Sequence, residues 1–291
     1  MKPAPFKYLA PTSRQEALDA LRRYGADAKV LAGGQSLVPL LAMRLARPSI
    51  LIDLNRVADL AFIKAARNSV TIGAMTRQHA AEFDPRLAAR LPLVCDALRW
   101  VGHPQIRTRG TIGGSLAHAD PSAELPAAFV ALGARVVLQS TRGERVVDAA
   151  QFFAGYLTTI LEPHELLTEV RVSPPPARAG WAFREVARRH GDFALVGVAT
   201  LLQCDNDRRC TSARLIFTGV GPGPVRIHDA EQHLIGHGIT ASVMDEAARI
   251  VEHALDPDND IHATAAYRKH VAGVLATRAI ADAAARTGVE T

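Results

Sequence analysis

The sequence predicts an α+β protein: an N-terminal region of two lobes in which short strands and helices intermingle, and a small α+β C-terminal domain with an antiparallel three-stranded sheet and helices. Three observations carry this. Two glycine pairs, Gly33-Gly34 and Gly113-Gly114, each follow an apolar, strand-like run, one pair in each expected lobe. The run Ser173-Pro174-Pro175-Pro176 interrupts the pattern; proline cannot continue a helix or a central strand, so it marks a domain boundary. Beyond it, three strand-like stretches are followed by two helical ones.

Taken in order, Ser13-Arg14-Gln15-Glu16 has the pattern of a capping box and starts a helix with Ala17, Leu18 and Leu21 on one face, ended by Gly25. Lys29-Val30-Leu31-Ala32 predicts a short buried strand, and the first glycine pair follows it. A helix is expected from about Val38 to Leu45, with Ser36 as its cap and Pro39 in its first turn. Ile50 to Leu54 completes a β-α-β-loop-α-β lobe. Ser69 to Ala74 predicts a strand, with Thr76 capping the next helix. Residues 87–101 carry a helical apolar pattern that stops at Gly102-His103-Pro104, before the second glycine pair. A helix over 127–132, a strand over 134–138, a hairpin-like turn at Thr141-Arg142-Gly143-Glu144 and a strand over 166–172 follow. Tyr156 is expected in the core on an amphipathic helix. The C-terminal strands are expected at 181–186, 194–204 and 212–218, and the helices at about 240–254 and 264–285. The expected domains are 1–175, with lobes of about 1–57 and 58–175, and 177–287.

Composition narrows the function. With 291 residues, 48% apolar and 22% charged, the chain has the make-up of a soluble globular protein able to bury a sizeable core. The net charge of +5 is spread along the chain and not gathered in a run, which speaks against nucleic-acid binding and suits a dianionic cofactor or an acidic partner. The three cysteines, Cys95, Cys204 and Cys210, form no Cys-x-x-Cys pair, have no zinc spacing, and cannot supply the four thiolates of an iron–sulfur cluster. They read as thiols in a reducing compartment. The start, Met1 to Phe6, lacks the apolar region of a signal peptide, and no apolar run reaches the roughly 18–20 residues of a membrane span. A cytoplasmic protein is expected.

Ala32-Gly33-Gly34-Gln35-Ser36-Leu37 is neither a Walker sequence nor G-x-G-x-x-G. It shares their plan of strand, glycines, exposed N–H groups and helix start, which can cradle a phosphate or can simply be a tight turn. Thr111-Ile112-Gly113-Gly114-Ser115 adds two hydroxyls and a second close backbone approach. Asp120 and Glu124 could accept hydrogen bonds from sugar hydroxyls. Equally, Asp120 could open a turn before Pro121, and Glu124 could be a first-turn helix acid. Trp100 and Val101 stand at a helix end. Arg188 and Arg189 form an exposed or subunit-facing pair. The histidines at 228, 233 and 237 are too scattered to suggest a metal site.

These segments, together with Ala119-Asp120-Pro121-Ser122-Ala123-Glu124-Leu125-Pro126 and Arg188-Arg189-His190-Gly191-Asp192-Phe193-Ala194, resemble the FAD-binding medium subunit of the molybdenum hydroxylases, the family of xanthine dehydrogenase and aerobic carbon monoxide dehydrogenase. The resemblance runs from Phe6 to the C-terminal helices. It implies a two-lobed FAD-binding domain of the vanillyl-alcohol-oxidase (PCMH) type plus the small C-terminal domain. It implies an electron-transfer subunit that takes electrons from the 2Fe-2S clusters of a small partner subunit and passes them to an external acceptor. A large partner subunit with molybdopterin would oxidise the substrate, in a dimer of heterotrimers. By position it implies FAD contacts at Leu31, Ala32, Gly33, Gly34, Gln35, Ser36, Leu37, Val101, Thr111, Ile112, Gly113, Gly114, Ser115, Asp120, Glu124, Leu166, Arg184 and Phe193. Ser115 stands where the family more often has Asn, Arg184 where the xanthine branch has Lys, and Phe193 where the carbon monoxide branch has Tyr. No catalytic base and no metal ligand is implied in this chain, and FAD is expected to be non-covalent, His103 being the one nearby residue with attachment chemistry. A self-sufficient flavin oxidase of the same fold, or an assembly subunit that has lost its cofactor, are the competing readings.

Overall fold

The computed structural model describes residues 2–287. In the first lobe, β1 (Lys7–Leu9), α1 (Arg14–Tyr24), β2 (Ala28–Leu31), α2 (Leu37–Ala42) and β3 (Ile50–Asp53) form a parallel sheet in the order β1-β3-β2. Its helices lie in the crossover connections that parallel pairing requires. The α1 cap is as expected in its first half: Ser13 Oγ accepts from the Glu16 N–H at 3.2 Å, while the Glu16 carboxylate reaches one residue further back, to the Thr12 N–H at 2.8 Å. Ala17, Leu18 and Leu21 are buried against Ile52 and Leu54.

The second lobe contains β4 (Ile63–Ala66), β5 (Ser69–Gly73), α3 (Gln78–Glu82), α4 (Pro85–Arg90), α5 (Pro92–Leu98), α6 (Pro104–Arg109), α7 (Ile112–His118), α8 (Glu124–Ala131), β6 (Arg135–Ser140), β7 (Gly143–Asp148), α9 (Ala149–Phe152), β8 (Phe153–Gly155), β9 (Thr158–Thr159) and β10 (Leu166–Val172). Its sheet is antiparallel throughout, in the order β4-β5-β10-β6-β7. The helices bury Leu87, Leu98, Ile112, Leu116 and Phe129 in one core with Val70, Ile72, Val136 and Val170 of the sheet.

The C-terminal part has β11 (Gly180–Ala187), β12 (Ala194–Cys204), β13 (Cys210–Thr218), β14 (Val225–Arg226), α10 (His228–Leu234), α11 (Ala241–Ala254) and α12 (Ala265–Arg286). One sheet face packs Val198, Leu215 and Phe217 on the helices through Val251, Leu275 and Ile280. The other packs Phe183, Ala199 and Ile216 into the core of the second lobe. Both faces of β12 are therefore covered, which explains its unbroken apolar run.

Several local expectations are corrected. The C-terminal sheet has four strands, because the two-residue β14 adds to β13. The helical stretch expected over 87–101 breaks into α4 and α5 at Leu91-Pro92, where proline forces the preceding residue out of the helical region. Ser36 makes no side-chain capping bond. Thr76 is not a cap, since its hydroxyl donates to the Phe62 carbonyl at 2.9 Å. The second glycine pair lies in the first turn of α7 behind helix α6, not at the end of a strand. Tyr156 is exposed in a turn and donates to Asp258 at 2.8 Å. No described helix is long and apolar enough to cross a membrane.

Candidate cofactor-binding site

The two glycine segments meet at the contact between the lobes. A Cβ on Gly33 would lie 2.4 Å from the Arg109 carbonyl oxygen and 2.8 Å from Gly110 Cα. A Cβ on Gly114 would lie 2.6 Å from Thr111 Oγ1 and 3.3 Å from Ala32 Cβ. Beside this contact is a cavity of about 380 Å³, lined by Leu31 to Gln35, Val38, Pro39, Asp53, Asn55 and Arg109. It lies at the carboxyl ends of β2 and β3, the edge where parallel sheets receive ligands.

The two bends differ in what they can donate. Among the described residues, the N–H groups of Gly33, Gly34, Gln35 and Ser36 make no hydrogen bond within the chain. Gly34 holds φ at +78°, so successive amides curve into a nest. In the second bend the amides are taken: Ile112 donates to the Thr76 carbonyl, Gly113 to the Ala74 carbonyl, Gly114 to Thr111 Oγ1 and Ser115 to the Thr111 carbonyl, at 2.8–3.1 Å. Among the described residues, the Ser115 hydroxyl and the Thr111 N–H are left free there, while the Thr111 side chain caps α7. We expect Thr111→Ala to destabilise the protein by about 1 kcal/mol and Thr111→Ser to restore most of it, measured by urea denaturation. A Thr111→Ala midpoint equal to that of the parent protein would show that the cap is idle.

Polar groups that the motif reading missed frame the cavity. Asn55 donates to the Ala32 carbonyl at 3.0 Å and holds Asp53 through both its backbone and its side-chain N–H groups. Arg77 donates to Asn55 Oδ1 at 2.6 Å and to the Arg109 carbonyl, tying the lobes together. Burial alone would raise the Asp53 carboxyl; hydrogen bonds from Tyr8 and Asn55, with the nearby Arg109 charge, outweigh it and hold the group below the usual range. Burial, and repulsion from Arg109, push the Arg77 guanidinium down. Arg109 thus lines a cavity whose free amides favour an anion. The available signal is position: Asp53 closes β3, the strand paired with β2, and Leu54-Asn55 follows it directly.

The remaining candidates separate. Asp120 is turned into its own loop, where Oδ1 accepts from the Ser122 N–H at 2.9 Å. Glu124 is buried at the start of α8. Leu166 is 3% exposed and packs with Leu60 and Met75 in the first-lobe core. Val101 follows Trp100, which stacks on His190 at 5.8 Å between ring centroids. Phe193 is 72% exposed on the same 188–193 segment. His103 packs where Gly191, at φ +90°, leaves room for its ring. Arg184 is not brought to this seam. Strand periodicity places it with Val198 and Phe217 on the helix-covered face, where Asp282 binds its guanidinium.

The fold and site together define a two-lobed dinucleotide-binding flavoprotein. A family model described as "FAD binding domain in molybdopterin dehydrogenase" matches residues 4–175, and "CO dehydrogenase flavoprotein C-terminal domain" matches 181–283. The chain is 41% identical over 283 residues to the 6-hydroxypseudooxynicotine dehydrogenase complex subunit alpha of Paenarthrobacter nicotinovorans, covering 97% of this chain and 96% of that one. It is 41% identical over 287 residues to the caffeine dehydrogenase subunit beta of Pseudomonas sp. (strain CBB1), covering 98% and 97%. A solved structure of carbon monoxide dehydrogenase from Hydrogenophaga pseudoflava superimposes with a TM-score of 0.95 at 38% identity, covering 98% of this chain and 99% of that one. The chain belongs to the FAD-binding medium-subunit family of the molybdenum hydroxylases, the oxidoreductase flavoprotein components of dehydrogenase complexes.

Proposed function

We propose that this subunit holds FAD non-covalently between its lobes and relays electrons from the 2Fe-2S clusters of a small partner subunit to an external acceptor. A large molybdopterin subunit oxidises the substrate, and the whole is a cytoplasmic dimer of heterotrimers. The domains are 1–175, with lobes at about 1–57 and 58–175, and 177–287. The observation that carries the reading is the row of unpartnered amides at Gly33 to Ser36, set against Gly110 to Gly114 of the other lobe. This chemistry fits a diphosphate: hydrogen bonds to a charged group contribute about 1.5–3 kcal/mol each, and no side chain intervenes where glycine stands. Leu31 to Leu37 hold the diphosphate, aided by Ser115 and the cation of Arg109. Glu124, and Asp120 through the oxygen that Ser122 leaves free, accept from the sugar hydroxyls, and Val101, Leu166 and Phe193 bound the ring. Bound FAD supplies a centre that accepts and releases electrons singly or in pairs.

The relatives' names span a nicotine derivative, caffeine and carbon monoxide. Such variety on one flavoprotein scaffold supports a substrate pocket elsewhere in the complex. The test is to titrate the full chain with FAD and then supply electrons from a reduced 2Fe-2S protein. We expect a single FAD per chain, released by denaturation, reduced by the iron–sulfur donor and not by the organic substrates alone. A chain that takes up no FAD would overturn the reading. One that oxidises a substrate unaided would make it a self-sufficient oxidase.

A further inference from the structure

We propose that Glu185 is a positioning residue for Glu124: across the seam between the second lobe and the C-terminal sheet the two carboxyls hold one proton between them, so that Glu124 meets the FAD slot without a second negative charge beside it. This rests on the reading of Glu124 as a residue of that slot.

The geometry is that of a closed seam. Glu185 shares a register row with Gly197 and Thr218, on the sheet face turned toward the second lobe. The Thr218 hydroxyl bonds the Pro121 carbonyl at 2.6 Å and the Ala123 carbonyl at 3.0 Å, fixing that row against the start of α8, where Glu124 stands. Gly197, opposite Glu185, contributes no side chain to fill the space. Both glutamates are 7% exposed, and Glu185 Oε2 is buried without a hydrogen-bond partner.

Arg107 on α6 favours the charged form of Glu124 but does not offset its burial. Among the described residues neither glutamate has an ion-pair partner, and the charges around them are committed elsewhere. Arg107 on α6 binds Glu82 at 2.8 Å. Arg214 on β13 donates to the Ala131 carbonyl at the far end of α8. Asp96 on α5 is paired with Arg286. His118 on α7 faces Asp120 at 4.0 Å, and Arg184 lies on the opposite face of the sheet. Asp120 adds a further negative charge. Two buried carboxylates without an ion-pair partner cannot both ionise cheaply, so one proton stays. Burial pushes Glu124 up to about 7 and Glu185 up to about 9, with the Glu124 charge adding to the Glu185 shift.

The sign follows. Both groups bind protons more tightly folded than unfolded, so this contribution to stability is full at low pH and lost as pH rises through the folded-state values. FAD brings a dianion, so its affinity should fall over the same upper range. The experiment uses the full chain, Glu185→Gln and Glu124→Gln. Infrared spectra with 13C-labelled glutamate read the protonated carboxyl directly, without FAD. Flavin fluorescence gives Kd from about pH 6 to about pH 10.

We expect a protonated glutamate at neutral pH in the parent chain, its band cut by about half or more in Glu185→Gln, where only the proton that burial and Asp120 favour on Glu124 remains. We expect Kd in the parent to rise about tenfold per pH unit once the shared proton leaves, and this rise to shift in Glu185→Gln. No protonated glutamate at neutral pH, or an unaltered pH profile in Glu185→Gln, overturns the proposal. The infrared result does not depend on any variant folding. If the band is present but Glu124→Gln binds FAD as the parent does, what fails is the placing of Glu124 in the slot, and not the shared proton.

Discussion

Gly33→Val is expected to empty the chain of flavin, weakening FAD binding at least about 100-fold, or roughly 2.7 kcal/mol. The reason is the contact between lobes more than obstruction of the ligand. The new Cβ would sit 2.4 Å from the Arg109 carbonyl oxygen, a distance that real carbon atoms do not reach. Nor can that backbone retreat. Arg77 holds the Arg109 carbonyl, the Gly110 carbonyl accepts from the Gln78 N–H at 2.9 Å, and the Gly110 N–H donates to the Ile106 carbonyl at 2.7 Å. The bend must therefore swing away, carrying its unpartnered amides out of register with the second lobe. Gly34→Ala is the control. Its φ of +78° strains a side chain, but the Cβ would meet only the Val38 and Leu31 side chains, at 3.1 and 3.3 Å. A loss of about 1–2 kcal/mol in stability is expected there, with flavin retained. Absorbance of the bound flavin per chain, with circular dichroism to confirm folding, reads both variants. A yellow Gly33→Val protein would refute the argument.

What could be read from the sequence was what is encoded locally. The first lobe was legible because a capping box, a glycine stop and short apolar runs each act within one turn or strand. The first glycine bend was legible for the same reason. The second was misplaced: Ile112-Gly113-Gly114 has little intrinsic preference for a helix, and α7 exists because Thr111 caps it and Gly113 packs its backbone on Ala74. The resemblance implies a flavin contact at Arg184, but a strand's alternation says which residues share a face, not which face meets which neighbour, and here the face carrying Arg184 meets Asp282 on α12. Asp53, Asn55 and Arg77 escaped notice because their meaning comes from strand order: only the β1-β3-β2 arrangement sets Asp53 beside the first bend. Glu185 reads as an ordinary strand acid until the seam closes over it.

Arg107→Met should be the most destabilising side-chain change near the site, at about 3–5 kcal/mol. The guanidinium binds Glu82 twice, at 2.8 and 3.3 Å, with both side chains less than a tenth exposed. It also donates to the Val101 and Gly102 carbonyls at 2.9 and 3.0 Å. One side chain thereby fastens α3, the 101–102 turn and α6, the helix that delivers Gly110 to its contact with Gly33. Methionine keeps the stem's packing but strands the Glu82 charge in the interior. If that charge is the main cost, Arg107→Met combined with Glu82→Leu should recover most of the loss, because the pair is then replaced by apolar groups. If the two carbonyls matter more, the double variant should stay as unstable as Arg107→Met. Urea midpoints of the three proteins separate these causes, and a cost below about 1 kcal/mol for Arg107→Met would sink both. FAD affinity should fall in parallel, since the second bend is aimed at the slot by the helix that Arg107 holds.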